Sequence, residues 1–578
     1  MSPVASPYMP EIHDSTVSAL DIPDDLTIPQ FFLDTAHAAR PDRSSDTPCL
    51  IEEDTGRKIY FSELRERTFG LANALSLRWR IGEGDVVCIL SPNHVDYPVV
   101  IWAAHRLGAT VTAAEPSFST VEEIAHSLIA TNASFIVVHP DFLKAAVAAA
   151  RKADIPVYRI ILFDAVTGSG APASHPVLNN LIQDGLKLEA QFEEKRLSAG
   201  DAKSKVAFLS FSSGTSGLPK ATAISHYSVI ANVVQRAVHN KVNEDHAPLD
   251  EQRFRPGDIS AAVLPLFHIF GVTNIHFMLF CGMSTVVMPK FDFQGMLKSI
   301  VRHRITHLFL VPAQIVLLCK NPAVKKYDLS CVRFCLSGSG PLPAELAQQL
   351  CAIFPNASIC HSYGLTELGT TVSMTSLSQR IAVSGSSGSI LPGISTRVMT
   401  EDGRLAAPGE QGELWIKGPA MAMGYADDQT ATLETFVDGW MRTGDLVYIR
   451  DNEIFVVDRL KEIFKVRGFQ VSPAELEGHI LSHPDVVDVC VVGVPDEYSG
   501  EVAMAFVVLN PDAAAQAQRD LKQSRKAKMG IMKHVVDVKA NYKWLSGGVE
   551  FVDTLPRTAT GKLLRRHLRD QARESRAR

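Results

Sequence analysis

The sequence predicts an α/β protein: a large, mainly parallel sheet domain covered by helices, then a small β-rich subdomain, then a compact α+β tail. Three observations carry this. Short β-branched runs alternate with helical patterns through the first two-thirds of the chain, the rhythm of βαβ units. After about residue 381 the runs shorten and Gly and Pro become frequent. Near Asp458 a charged stretch introduces a third texture.

Taken in order, residues 1–47 are rich in Pro, Ser and Asp and read as a loose arm with an early helix near 28–37. Residues 85–90, 110–114 and 135–138 read as buried strands, separated by helical patterns at 97–107 and 121–131. Further strand-like runs stand at 259–264, 284–288, 307–311 and 331–336, and 412–418 opens the β-rich part. Residues 512–528, rich in Ala, Gln and Lys, read as a surface helix with a loop. The charge-free stretch 261–289 is interrupted by Pro265, His268, Asn274, His276 and two glycines, so it predicts buried core elements rather than a spanning helix.

Composition narrows the function classes. The 578 residues are 46% hydrophobic and 21% charged with a net charge of −6, so no basic field for nucleic acid exists. Nine scattered cysteines without a CxxC pair read as reduced core thiols in a cytosol-like compartment. The start of the chain lacks a secretory pattern, and Arg576-Ala577-Arg578 does not match a Ser-Lys-Leu peroxisomal address, so a cytoplasmic location is expected.

The informative segment follows the apolar run 206–209. Phe211 leads into Ser212, Ser213, Gly214, Thr215, Ser216, Gly217, Leu218, Pro219 and Lys220. Glycines let backbone approach a ligand, hydroxyls and backbone N–H groups donate to phosphate oxygens, and Lys220 adds charge. A plain Gly/Ser turn is the competing reading. The Walker A spacing is absent, because the only Gly-Lys pair, Gly561-Lys562, has Pro556 where the first Gly would stand. No GxGxxG follows a strand.

With that loop the chain resembles the adenylate-forming superfamily: acyl-CoA synthetases, 4-coumarate-CoA ligases, luciferases and the adenylation domains of peptide synthetases. The matching segments run in family order: Leu264 to Gly271, Ser337 to Leu342, Tyr363-Gly364-Leu365-Thr366-Glu367, Gly412-Glu413-Leu414, Met423-Gly424-Tyr425, Thr443-Gly444-Asp445, Asp458-Arg459, Lys465 to Gln470 and Pro556 to Lys562. The resemblance implies two mixed, mainly parallel sheets in a domain spanning 1–460 (α/β over 28–380, β-rich over 381–457). It also implies a small mobile domain over 461–578.

The resemblance also implies the roles. A carboxylate attacks the α-phosphorus of ATP, pyrophosphate leaves, and a thiol attacks the acyl-adenylate; positioning and charge stabilisation are the protein's work. Lys562 would span the carboxylate and the α-phosphate, Thr366 would contact that phosphate, and Lys465 would serve catalysis in the second orientation of the small domain. Glu367, with Thr215, would hold Mg²⁺. Ser212–Lys220, Ser339, Gly340, Pro341, His361, Ser362, Tyr363, Gly364, Asp445, Arg459 and Gly468 would bind nucleotide, with Asp445 on the ribose hydroxyls. His268, Phe270, Gly338, Gly364, Thr370, Thr371 and Gln470 would bind the acid, and Lys461 falls at the hinge. A lone His268 among apolar residues is more often a core histidine; the family makes it an acyl-site wall.

Departures from the family pattern are Ser216, Ala221, Arg467 and Lys543-Trp544-Leu545, none of which removes a reactive group. No aspartate follows the pocket motif, which disfavours amino acids, and the wall residues include no cation for a diacid. An aromatic or medium-chain acid is expected. CoA is the expected thiol, a carrier protein or a luciferase-like oxygenation being the alternatives. A monomer or weak dimer is expected.

Overall fold

A computed structural model describes residues 20–116, 120–166, 175–212, 219–340, 342–426, 428–558 and 561–577, together with the backbone of His13–Asp14. Ser213, Gly214, Thr215, Ser216, Gly217 and Pro341, all named above, lie outside the described residues.

Parallel strands covered on both faces must be apolar at every position, and their alternate side chains then enter two different cores. Val86–Leu90 shows this directly. Val87 and Ile89 point into the largest core, while Val86, Cys88 and Leu90 point into a second one beneath Val121–Ala130 and Leu143–Lys152. This strand lies in a seven-stranded sheet with Thr110–Ala113, Phe135–Val138, Ile160–Leu162 and Val206–Ser212, all parallel, closed by antiparallel Lys220–Ser225 and Gly424–Tyr425.

His307–Leu310 repeats the alternation in a fifteen-stranded sheet. Phe309 enters the same large core, whereas Leu308 and Leu310 face Phe293–His303, Pro312–Lys320 and Ala344–Ile353 on the far side. The large core is therefore a layer of helices, including Tyr97–Arg106, His226–His239 and Ile269–Phe280, held between two sheets. The charge-free stretch supplies its pocket helix and a flanking strand. Among the described residues no helix is long and apolar enough to cross a membrane.

The β-rich stretch is not detached. Its strands Ser395–Met399, Gly412–Lys417, Trp440–Arg450 and Glu453–Arg459 continue the large sheet antiparallel, through Ser389–Ile390, from Thr370–Met374. The chain then leaves through Arg459 into a five-stranded sheet built on Val486–Asp496 and Gly500–Leu509, packed by Pro473–Ile480, Leu521–Val536 and Arg565–Ala577.

Some elements differ from the sequence reading. The early helix is one wide π-type turn, Gln30–Asp34. Arg40 explains its stop: the guanidinium donates to the carbonyls of Phe31 and Thr35 at 2.7 and 2.8 Å, taking acceptors a further turn would need. The expected strand over 331–336 begins only at Phe334, because the chain is still turning before it, the Val332 N–H donating to the Leu329 carbonyl at 3.1 Å. The surface helix is two, Pro511–Arg519 and Leu521–Val536. Asp520 divides them, accepting from the Gln523 N–H at 2.7 Å and so capping the second. All nine cysteines are free thiols.

Candidate active site

The site stands at the carboxyl ends of the parallel strands of the large sheet, where open α/β sheets collect ligands. Ser358–Leu365 ends in a tight hairpin through Thr366–Leu368 into Thr370–Met374. Gly364 makes this turn possible. A Cβ there would lie 1.6 Å from the Thr370 carbonyl oxygen, so no larger residue fits without moving the hairpin. Thr370 itself sits at φ +121, held by its hydroxyl on Asn232 at 3.1 Å. The hairpin presents Tyr363, Thr366 and Glu367 at one edge of the cleft.

Partners from three other segments converge there. The Tyr363 hydroxyl donates to Asp445 Oδ2 at 2.6 Å, and Arg459 Nε pairs with Oδ1 at 2.8 Å. Burial pushes the Asp445 carboxyl up, and Arg459 pulls it back. The Tyr425 hydroxyl donates to Glu367 Oε1 at 2.9 Å; burial and that carboxylate push the phenol well up. Lys220, at the end of the phosphate-loop segment, pairs with Asp428 at 3.0 Å and stands over the Tyr425 ring. Ser212 ends the strand that leads into that segment.

The opposite wall is the Ser337–Gly340 turn. Ser339 takes φ +66, and His361 packs under the turn with Nε2 2.9 Å from the Gly340 carbonyl and Nδ1 3.0 Å from that of Ser386. Burial pushes this imidazole's pKa down, so the neutral ring donates to one carbonyl and rests against the other. Gly338 brings Phe270 and Ser362 together: a Cβ on it would lie 3.2 Å from the Phe270 ring and 3.4 Å from Ser362 Oγ. His268 caps the pocket helix Ile269–Phe280, accepting from the Phe270 N–H at 3.3 Å, and burial holds its pKa at about 4. Thr371 lies behind, its carbonyl accepting from Asn232 at 2.8 Å.

The small domain delivers Lys562. Its loop is braced by Arg557, which donates to the Gly561 carbonyl at 2.6 Å and pairs with Asp488 at 2.7 Å, and by the Thr558 hydroxyl, which accepts from the Lys562 N–H at 3.1 Å. Gly561, at φ +81, rests on Val311 of the large domain; a Cβ there would lie 3.2 Å from Val311 Cγ2. The Lys562 ammonium thus reaches Arg459, Lys461 and Asp445, and its charge acts on His268. Burial first, then Arg459 and Lys461, bring it down to about 8; burial and Arg459 bring Lys461 down to about 8 as well. Three cations, Arg459, Lys461 and Lys562, act on one another here against the carboxylates Asp445 and Glu462, so the cleft carries a positive field suited to a polyanion.

Asp458 joins the two domains. Its carboxylate accepts from Ser472 Oγ at 2.6 Å, from the Ala474 N–H at 3.0 Å and from the Arg459 N–H at 2.8 Å, tying the exit strand to the first helix of the small domain. Lys465, Gly468 and Gln470 are not in this gathering. They lie exposed on the Phe464–Val466 and Phe469–Val471 hairpin, and Lys465 stands 4.0 Å from Glu401, itself exposed.

The sequence reading gave no site role to Asn232, Asp428, Asp458 or the buried Arg236–Asn274 pair, whose hydrogen bond is 2.8 Å long. One signal was available: polar Asn232 and Arg236, four apart, interrupt an otherwise apolar helical run.

The fold and cleft define a two-domain enzyme whose smaller domain delivers a lysine to a cationic cleft in the larger. Comparison with known proteins narrows the class. The chain belongs to the AMP-binding enzyme family: residues 37–426 match that family and residues 475–562 match the AMP-binding enzyme C-terminal domain. A relative, 4-coumarate–CoA ligase 2 of Oryza sativa subsp. japonica, is 36% identical over 98% of this chain and 96% of its own. Acyl-CoA ligase AFT1-1 of Alternaria alternata is 34% identical over 96% and 95%. The crystal structure of ATP-bound MatB from Rhodopseudomonas palustris superposes with a TM-score of 0.79 at 25% identity, covering 95% of this chain and 99% of that one.

Proposed function

We propose that this chain is an acyl-CoA ligase that activates an aromatic or medium-chain carboxylic acid with ATP and passes the acyl group to CoA. The observation that carries the reading is the seating of the Lys562 loop against Val311, beside Asp445, Arg459 and His268. That is the arrangement the first half-reaction needs. The ribose hydroxyls would donate to Asp445, the adenine would lie along Tyr363 and the Ser339–Gly340 turn, and Thr366 would face the α-phosphate. The acid would enter between His268, Phe270, Gly338 and Thr371, its carboxylate meeting Lys562.

Its oxygen attacks the α-phosphorus while pyrophosphate leaves, and Lys562 stabilises charge on both reacting partners. As a point charge on a flexible stem, lysine suits two acceptors that draw together as the new P–O bond forms and pyrophosphate leaves. The relatives' names support CoA as acceptor. For the second half, Lys465, Gly468 and Gln470 lie on a face that a turn about the Asp458–Lys461 hinge would bring to the cleft.

Mg²⁺ fits this donor set. The described residues hold no cluster of three His, Cys, Asp or Glu ligands, and Mg²⁺ is commonly held by one or two carboxylates plus phosphate oxygens. Glu367 would be that carboxylate, and the ion would neutralise phosphate charge.

The test is pyrophosphate exchange and mass-spectrometric detection of acyl-CoA with purified protein, ATP, CoA and an acid library. Acyl-CoA products from aryl or medium-chain acids are expected. Exchange with amino acids alone, or with no acid, would refute the reading.

A further inference from the structure

Two helices wall the acid pocket, and each carries a polar residue one turn deeper. On His226–His239, Asn232 holds Thr370 and Thr371; four residues on stands Arg236. On Ile269–Phe280, Phe270 packs at Gly338; four residues on stands Asn274. Four residues advance about 6 Å along a helix, so the second pair lies about a turn below the walls, between the Thr371 level and that of Met374, which Asn240 touches.

The pair is electrostatically incomplete. Arg236 is 1% exposed and Asn274 7%. Arg236 Nη2 donates to Asn274 Oδ1 at 2.8 Å, and the guanidinium lies 4.1 Å from the centre of the Phe277 ring. Arg236 Nε and Nη1 and Asn274 Nδ2 are buried and have no hydrogen-bond partner. Among the described residues no carboxylate pairs with this cation. The titratable group that acts on it is the Cys281 thiol, which burial keeps protonated. Burial lowers Arg236 only to about 9, so it is charged at neutral pH. A buried charge lacking an anion, ringed by donors lacking acceptors, is costly to keep unless something supplies both.

We propose that Arg236 and Asn274 form the far end of the acyl pocket and receive the distal carboxylate of a dicarboxylic acid, whose other carboxylate is activated at Lys562. The inference rests on the acid-activating function proposed above. Guanidinium Nε and Nη groups form a fork that matches a carboxylate's two oxygens, and the Asn274 amide adds a third donor. A methyl or aryl terminus would satisfy none of them. The wall residues read from sequence held no cation for a diacid; the cation lies one turn beneath them.

The experiment compares kcat/KM in pyrophosphate exchange for chain-matched acids ending in methyl, hydroxyl or carboxylate, in aliphatic and para-substituted aryl series. Wild type should prefer one carboxylate-ended acid over its methyl-ended match by on the order of 10²-fold or more. Arg236→Met should invert that preference, and Arg236→Lys should restore part of it. If Arg236→Met does not fold, Arg236→Lys and Asn274→Ala report the same ratio. A wild-type preference for the methyl-ended acid, or a ratio unmoved by these variants, would refute the subsite while leaving the ligase reading intact. No exchange with any acid would overturn both.

Discussion

Lys562 offers the sharpest test of the closed cleft. Its fall from 10.5 to about 8 corresponds to about 3 kcal/mol. That is the cost, in the absence of nucleotide, of holding the ammonium among Arg459 and Lys461 out of water. Nucleotide phosphates would remove this cost and raise the pKa again. Lys562→Ala should therefore leave ATP binding in place but slow adenylation by about 10²–10³-fold, the loss typical when one charge-stabilising donor is removed.

The pH dependence has a definite sign. Between about 8 and 10.5 the closed form holds fewer protons on Lys562 than an open form does, so closure gains with rising pH while the charged lysine is lost. Wild-type kcat/KM, which reports the free enzyme, should fall above about pH 8. The fall in kcat should come at higher pH. Pyrophosphate exchange from pH 6 to 10, with thioester formation from pre-made acyl-adenylate as control, reads both. An Ala variant that exchanges at the wild-type rate, or keeps the wild-type descending limb, would refute the role.

Three further outcomes follow from the geometry. Gly364→Ala should lower the melting temperature, at a cost of about 1–3 kcal/mol or more, and abolish AMP binding, because the hairpin must open around the new Cβ; unchanged calorimetric binding would contradict this. Asp445→Asn should raise KM for ATP by about 10–100-fold, the worth of ~1.5–3 kcal/mol for hydrogen bonds to a charged group, with Arg459 left unpaired. Lys465→Ala should slow thioester formation by about tenfold or more relative to exchange, one hydrogen bond's worth; equal effects on both halves would remove it from the second step.

The strands were legible because burial on both faces demands unbroken β-branched runs, as at Val86–Leu90 and His307–Leu310. Boundaries were less legible where a distant side chain ended an element. Arg40 stops the early turn by taking its carbonyls. In the cleft, Tyr363, Asp445, Arg459 and Lys562 could each be picked out from local sequence. Asp458's grip on Ser472, and Arg557's on Gly561, could not, because hydrogen-bond partners are set by packing and not by spacing.

The sequence alone determined the chemical inventory: a Ser/Gly/Thr loop ending in Lys220, the Tyr363–Glu367 segment, and Lys562 at the start of a basic run. Those residue types follow from local demands of φ, size and charge, which a short segment records. Only the tertiary structure decided which of them meet. It seats the Lys562 loop, through Gly561, against Val311 of the large domain, leaves Lys465 in solvent, and among the described residues gives Arg236 no paired carboxylate. Charge acts through space over a few ångströms, so the value of a lysine or an arginine depends on neighbours that the chain order does not name.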